Sequence, residues 1–172
     1  ADFGELVWEV DLGVGIMAAP MTYELDGVQY VSVLVGWGGS AGLIGPNFSG
    51  AYKPEGRLWT FRLNGGNIIP VQGQPLPELT EISYNDDPAV IGHGEDMYVT
   101  HCMLCHGAGG ASGGAMVDLR YAVPATYDII QNIVREGAFG GRGMPNLGHI
   151  VSEDDVDAVK NWLLSLRAGL ME

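Results

Sequence analysis

Basic residues are scarce in this chain. Its 172 residues include 8 Lys and Arg against 21 Asp and Glu, a formal net charge of −13. Phosphate backbones are held by Lys and Arg, so nucleic-acid binding is excluded as a function class. Long apolar runs are also missing: no stretch reaches the roughly 18 apolar residues a membrane-spanning helix needs. Cysteine is limited to two residues three positions apart, too few for a disulfide framework. No initiator Met and no signal segment opens the chain, and Ala1 reads as the start of a mature or excised polypeptide. Glycine is what the chain has in excess. Its 27 glycines follow no G-X-Y period, which excludes a collagen helix and points to turns and tight loops. Apolar residues make up 47%, enough for a packed core.

The pattern changes near residue 85. Before it, the chain reads as β. Residues 6–10 form one expected strand, 21–25 a second, 28–35 a third and 57–63 a fourth. Asp26-Gly27 between the second and third is the hairpin signal, because a type I′ turn needs positive φ at both central residues. The 28–35 run, Val-Gln-Tyr-Val-Ser-Val-Leu-Val, is too apolar to show a wet face and is expected to be buried on both. Residues 36–56 are a glycine-rich loop. Residues 67–88 hold four of the nine prolines and read as an extended linker. Four short strands suit a small sandwich, a barrel or one propeller blade, and a lone blade cannot bury its own faces.

After residue 88 the period is helical. A first helix is expected over 89–101. A second spans 126–136, with Ile129, Ile130, Ile133 and Val134 on one side and Gly137 as its stop. A third begins at Ser152-Glu153-Asp154-Asp155, a capping-box-like start with acids where the helix dipole favours them. Val156, Val159, Leu163 and Leu166 form its apolar stripe and Gly169 ends it.

The chemistry is concentrated in Cys102-Met103-Leu104-Cys105-His106. C-x-x-C-H is the attachment motif of c-type haem. Two thiols three residues apart on a helix end can each form a thioether to one porphyrin vinyl group, and the next residue, His106, then lies under the iron. Two rival readings exist. A redox dithiol needs a βαβ context, and the surroundings here are helical. A zinc site of His101, Cys102, Cys105 and His106 would crowd four ligands into six residues, whereas structural zinc takes well-separated pairs. A sixth iron ligand is expected at Met144 in Gly143-Met144-Pro145, 38 residues beyond His106 and able to reach the opposite haem face. Pro145 biases Met144 to extended backbone. Met116, ten residues past His106, stays on the His106 side. His93, His101 and His149 are assigned no role.

Residues 89–168 resemble a class I cytochrome c: a helix into C-x-x-C-H, a middle helix, a methionine loop and a last helix, in that order. The resemblance implies that Gly94 and Tyr98, eight and four residues before Cys102, pack against the last helix around Trp162 and Leu163. The family often has a proline ahead of the leucine after the motif, whose carbonyl accepts from the ligand imidazole. Here the segment departs from that pattern, reading Met116-Val117-Asp118-Leu119, where the Val117 carbonyl could still accept. Arg120 is the candidate partner of a buried haem propionate, with Arg142 second.

The β part carries its own resemblance. Residues 4–8, Gly-Glu-Leu-Val-Trp, resemble the end of a tryptophan-docking repeat of eight-bladed quinoprotein propellers. Residues 21–39 are similar to the last-blade segment of alcohol dehydrogenases dependent on pyrroloquinoline quinone (PQQ), and 57–63 resemble that propeller's closing strand. In the quinohaemoprotein members a proline-bearing linker then leads to a cytochrome c domain. The implied fold class is β plus α: the final blade of a quinoprotein β-propeller over 1–66, a linker over 67–88, and an all-α cytochrome c domain over 89–172. The implied function is electron transfer from reduced PQQ through covalent haem c to an external acceptor during alcohol oxidation. PQQ, calcium and the catalytic residues belong to earlier blades, so no catalytic residue is expected here. The chain is expected to be the C-terminal piece of such an enzyme, cleaved or made as a subunit, with the rest of the propeller as its partner. Trp37 is expected at the edge of the quinone cavity. A blue copper protein, a cytochrome or a quinone-linked subunit is the implied acceptor, and the periplasm the implied compartment. The alternatives are a free electron carrier with a β docking module, a PQQ enzyme for a sugar, polymer or amine, and a haem sensor or peroxidase with an open sixth site.

Overall fold

The computed structural model describes residues 3–13, 15–36, 56–66, 75–112 and 117–172. Its β part is one antiparallel sheet of three strands in the order β1 (Met21–Leu25), β2 (Val28–Val35), β3 (Arg57–Arg62). The hairpin forms as expected: Asp26 and Gly27 take φ of 52° and 73°, and Leu25 pairs with Val28. On the other side of β2, Val33 faces Trp59 and Val31 faces Phe61.

Two sequence expectations fail here. Residues 6–10 form no strand: they pair with no described ladder, and Trp8 merely leans edge-on against Phe61 with ring centroids 5.2 Å apart. Nor is β2 buried on both faces. Ser32, Val33 and Val35 are buried, but Val31 and Leu34 are exposed. Apolar content alone indicates that a strand seeks cover; three strands in this chain do not supply it on both sides.

The helical part begins with α1 (Pro88–His101), capped by Asp87, whose carboxylate accepts from Ala89 N at 2.8 Å, with Pro88 in the first turn, where its missing N–H costs nothing. A one-turn helix, α2 (Met103–His106), follows directly. The expected helix over 126–136 is two short ones, α3 (Pro124–Asp128) and α4 (Ile130–Val134). The break is Ile129, at φ −108° and ψ 18°, and it turns that side chain outward while Tyr127 and Ile133 are buried. The final helix, α5 (Glu153–Ala168), has the full capping box: Ser152 Oγ accepts from Asp155 N and the Asp155 carboxylate accepts from Ser152 N.

α1 and α5 cross in close contact and define the core. Gly94 makes the crossing possible. A Cβ there would lie 2.1 Å from the Ala158 carbonyl oxygen and 2.9 Å from Trp162 Cβ. One turn on, Tyr98 packs against Trp162 with centroids 4.6 Å apart, and Leu163 and Leu164 complete the buried cluster. Both predicted contacts of α1 are therefore present. The 76–87 segment has no helix or strand, yet Ile82 and Tyr84 pack against that same cluster and Asn85 N donates to Asn161 Oδ1 at 2.8 Å.

Candidate functional site

The C-x-x-C-H residues form a single helical turn. His106 N and Cys105 N both donate to Cys102 O, at 3.0 and 3.2 Å, and Gly107 N donates to Met103 O. Positions three and four apart share a helix face, so Cys102, Cys105 and His106 point to one side. Gly107 ends the turn at φ 77°, and its carbonyl accepts from the buried Tyr98 hydroxyl at 2.7 Å. The core thus grips the chain one residue past the histidine.

Both thiols are free; Cys102 is half-buried and Cys105 exposed. Burial, with Cys105 nearby, pushes the Cys102 thiol up to about 11. A redox dithiol works through a ready thiolate, so this environment opposes that reading. The zinc reading has no support either: among the described residues no three His, Cys, Asp or Glu side chains come together to hold a metal ion.

Burial lowers the pKa of His106 and keeps the imidazole neutral, the state in which it donates to a metal. Nδ1 is buried and has no hydrogen-bond partner, so the Val117 carbonyl does not take the expected role. Two unbonded thiols and a neutral imidazole without a protein partner, on one face of one turn, are the donor set that a covalently attached haem completes. The residues fit the group.

Met144 is half-buried in the loop after α4. Gly137 at φ 75° ends that helix, a turn at Gly140–Arg142 follows, and Gly143 takes φ 92°, so Met144 N donates back to Phe139 O at 3.2 Å. Gly148 lets the returning chain touch Arg135; a Cβ would lie 2.4 Å from that carbonyl oxygen. Arg142 stacks on Phe139, its Cζ 4.8 Å from the ring centroid. Arg120 is buried, not a surface arginine, and is chelated by Asp118 (Nε to Oδ1 3.0 Å, Nη2 to Oδ2 2.7 Å). Burial opposes its charge, but that carboxylate outweighs it and holds the pKa above the ordinary arginine value. Trp37 and Met116 lie outside the described residues. His93, assigned no role, bonds Asp155 across the helix pair at 2.7 Å. A polar cleft of about 780 Å³ adjoins the returning end of this loop, lined by Arg135, Glu136, Asn146, Gly148, His149 and Glu153. Its wet, charged walls do not suit a porphyrin.

Residues 89–163 match the sequence model of the family described as cytochrome C oxidase, cbb3-type, subunit III. The match runs through the helical part, from α1 into α5. The chain as a whole is similar to the C-terminal parts of quinohaemoprotein alcohol dehydrogenases. It is 36% identical over 173 residues to quinohemoprotein alcohol dehydrogenase ADH IIB of Pseudomonas putida, covering 96% of this chain and 24% of that protein. It is 36% identical over 166 residues to 1-butanol dehydrogenase (cytochrome c) of Thauera butanivorans, covering 94% and 23%. The solved structure of quinohemoprotein alcohol dehydrogenase ADHIIG from Pseudomonas putida HK5 superposes with a TM-score of 0.76 at 28% identity, covering 95% of this chain and 24% of that one. The chain therefore spans about a quarter of the length of these relatives. Among the described residues no helix is long and apolar enough to cross a membrane.

Arg167 is the residue that sequence reasoning missed. It sits in the last turn of α5, buried, with its guanidinium bonded to backbone carbonyls. A cation at a helix C-terminus is ordinarily a surface residue favoured by the dipole, so nothing in the sequence marked it.

Proposed function

We propose that this chain is the electron-output part of a PQQ-dependent quinohaemoprotein alcohol dehydrogenase. The observation that carries this reading is similarity over nearly the whole chain, sheet included, to the C-terminal parts of such enzymes. A free cytochrome with an unrelated docking module would share only the helical part. Alcohol oxidation releases two electrons at the quinone, in blades outside this chain that also hold calcium. The sheet would be the closing blade, residues 67–88 the linker, and Trp37 the edge of the quinone cavity. The bound haem supplies one-electron transfer between ferric and ferrous iron.

The residues here have positioning work. Cys102 and Cys105 would hold the porphyrin as thioethers through each cycle. His106, neutral and fixed through the Tyr98–Gly107 bond, and Met144 would be the residues that hold the iron. Arg120 keeps two donors on Asp118, so a propionate would meet the rest of the guanidinium. The acidic surface would steer a basic acceptor protein. Haem c is attached outside the bacterial cytoplasm, so the complex would work in the periplasm.

Native mass spectrometry tests the reading, with a denaturing run and a visible spectrum beside it. A haem retained on denaturation, in a chain held to a PQQ-bearing propeller, is the expected result. A haem-bearing monomer would overturn the partner assignment, and a chain that takes up no haem would overturn the whole. In Met144→Ala the sulfur-to-iron charge-transfer band at the red edge of the oxidised spectrum should vanish; its survival would sink the sixth-ligand assignment and favour an open-site sensor or peroxidase.

A further inference from the structure

Arg167 is only 3% exposed, yet no carboxylate pairs with it among the described residues. Its donors go to three carbonyls: Nε to Thr80 O at 3.1 Å, Nη1 to Arg120 O at 2.8 Å and to Ala122 O at 3.0 Å. Those acceptors belong to two distant segments, the strap over 75–87 and the turn Leu119–Tyr121 with the residue after it. Arg120 and Asp118 neutralise one another, so the charge of Arg167 is left over. An unpaired buried charge is costly, and a long apolar side chain would fill the same space without that cost.

The position is informative. The Arg120 side chain reaches Gly110, four residues past His106, where a Cβ would lie 3.7 Å from Arg120 Cγ. Arg167 bonds the backbone of that same Arg120. Arg167 is thus linked through Arg120 to the segment that follows the haem motif, and a buried net positive charge near a haem there favours the ferrous iron, which carries less positive charge than the ferric.

We propose that Arg167 is a positioning residue for electron transfer: it latches the 75–87 strap to the Arg120 turn, and its unneutralised buried charge raises the reduction potential of the haem. This rests on the haem reading above.

The test uses the full haem-bearing chain with Arg167→Met and Arg167→Lys. Spectroelectrochemical titration gives the midpoint, and hydrogen exchange gives protection of the strap. The Met variant should lower the reduction equilibrium on the order of tenfold, about 59 mV for a one-electron couple. The Lys variant should keep the potential while strap protection falls, because an ammonium cannot span all three carbonyls. A Met variant with unchanged potential and an intact oxidised spectrum overturns the charge role. Equal potential loss in Met and Lys does so too, since packing would then explain both. Unchanged strap protection in both variants overturns the latch. If the Met variant does not fold, Arg167→Gln, neutral and polar, replaces it under the same criteria. Absence of covalent haem in the unmutated chain would refute the function itself and is read separately from its pyridine haemochrome spectrum.

Discussion

Gly94→Ala should destabilise the helical part, and Gly92→Ala, two residues earlier on the same helix, should stabilise it. Both changes remove the backbone freedom of glycine in a helix, worth roughly 0.5–1 kcal/mol in favour of alanine. At Gly92 nothing stands within 4 Å of the new methyl, so that gain is the whole effect. At Gly94 the methyl meets the Ala158 carbonyl oxygen at 2.1 Å and its carbon at 2.6 Å. Ordinary contact lies near 3.5 Å, so the helices must part by more than about 1 Å. Both atoms are backbone and no rotamer change relieves them. Parting the helices also opens the contact of Tyr98 on Trp162. Overpacking of this kind costs about 1–3 kcal/mol, and a rigid neighbour puts it at the upper end. Subtracting the propensity gain leaves a net loss of roughly 2 kcal/mol, with the two alanines differing by about 3. Urea unfolding of the haem-bearing chain, followed by circular dichroism at helical wavelengths, resolves that difference. A Gly94→Ala midpoint at or above that of Gly92→Ala would refute the close-crossing argument.

Two further outcomes follow from single side chains. The Asp155 carboxyl is held down to about 2 by the Ser152 hydroxyl and amide and by His93, so it stabilises the fold above its unfolded value near 4 and loses that effect as pH falls toward 2; Asp155→Asn should flatten stability against pH across that window in acid titrations, and an unchanged slope would contradict the capping-box assignment. Tyr127 donates its hydroxyl to Leu119 O, which also accepts from Ala122 N, and lies against Arg167, so Tyr127→Phe removes one of two hydrogen bonds to that carbonyl and should cost about 1 kcal/mol in the same urea assay, whereas a neutral result would show that the hydroxyl contributes nothing net.

What could be read in the sequence follows the range of the interactions concerned. The Asp26-Gly27 turn and the Ser152–Asp155 cap are rules spanning two to four residues, and both appear as expected. Gly94 and Tyr98 needed the family resemblance, because a glycine inside a helix identifies no partner by itself. The mistaken strand at 6–10 has the right composition but no ladder neighbour among the described residues, and pairing is a property of the partner. Ile129 fell on the wrong side because a one-residue break between α3 and α4 rotates everything after it, and periodicity cannot register a single irregular φ, ψ pair. The prolines of the strap indicate an extended linker and say nothing of what it touches. Thr80, Ile82, Tyr84 and Asn85 nevertheless touch the helical part, through acceptors and donors supplied by Arg167 and Asn161 more than seventy residues away.

The two halves of the chain differ in how far they satisfy themselves. α1 and α5 bury Tyr98, Leu163 and Leu164 almost completely, so the helical part closes its own core. The sheet does not. Cross-strand register puts Met21, Tyr23, Leu25, Leu34 and Leu58 on one face, and all five are exposed. On the opposite face Val33 and Val35 are buried, with Trp59 and Phe61 beside them. A three-stranded sheet with an apolar face open to water is marginal alone. A docking module that served a free cytochrome would be selected to keep such a face polar between encounters. A face that a partner always covers has no such requirement, and the exposed apolar residues of β1 and β2 agree with the closing blade proposed above. The strap belongs with the helices: Arg167 and Asn161 fasten its Thr80 and Asn85 to the helical core.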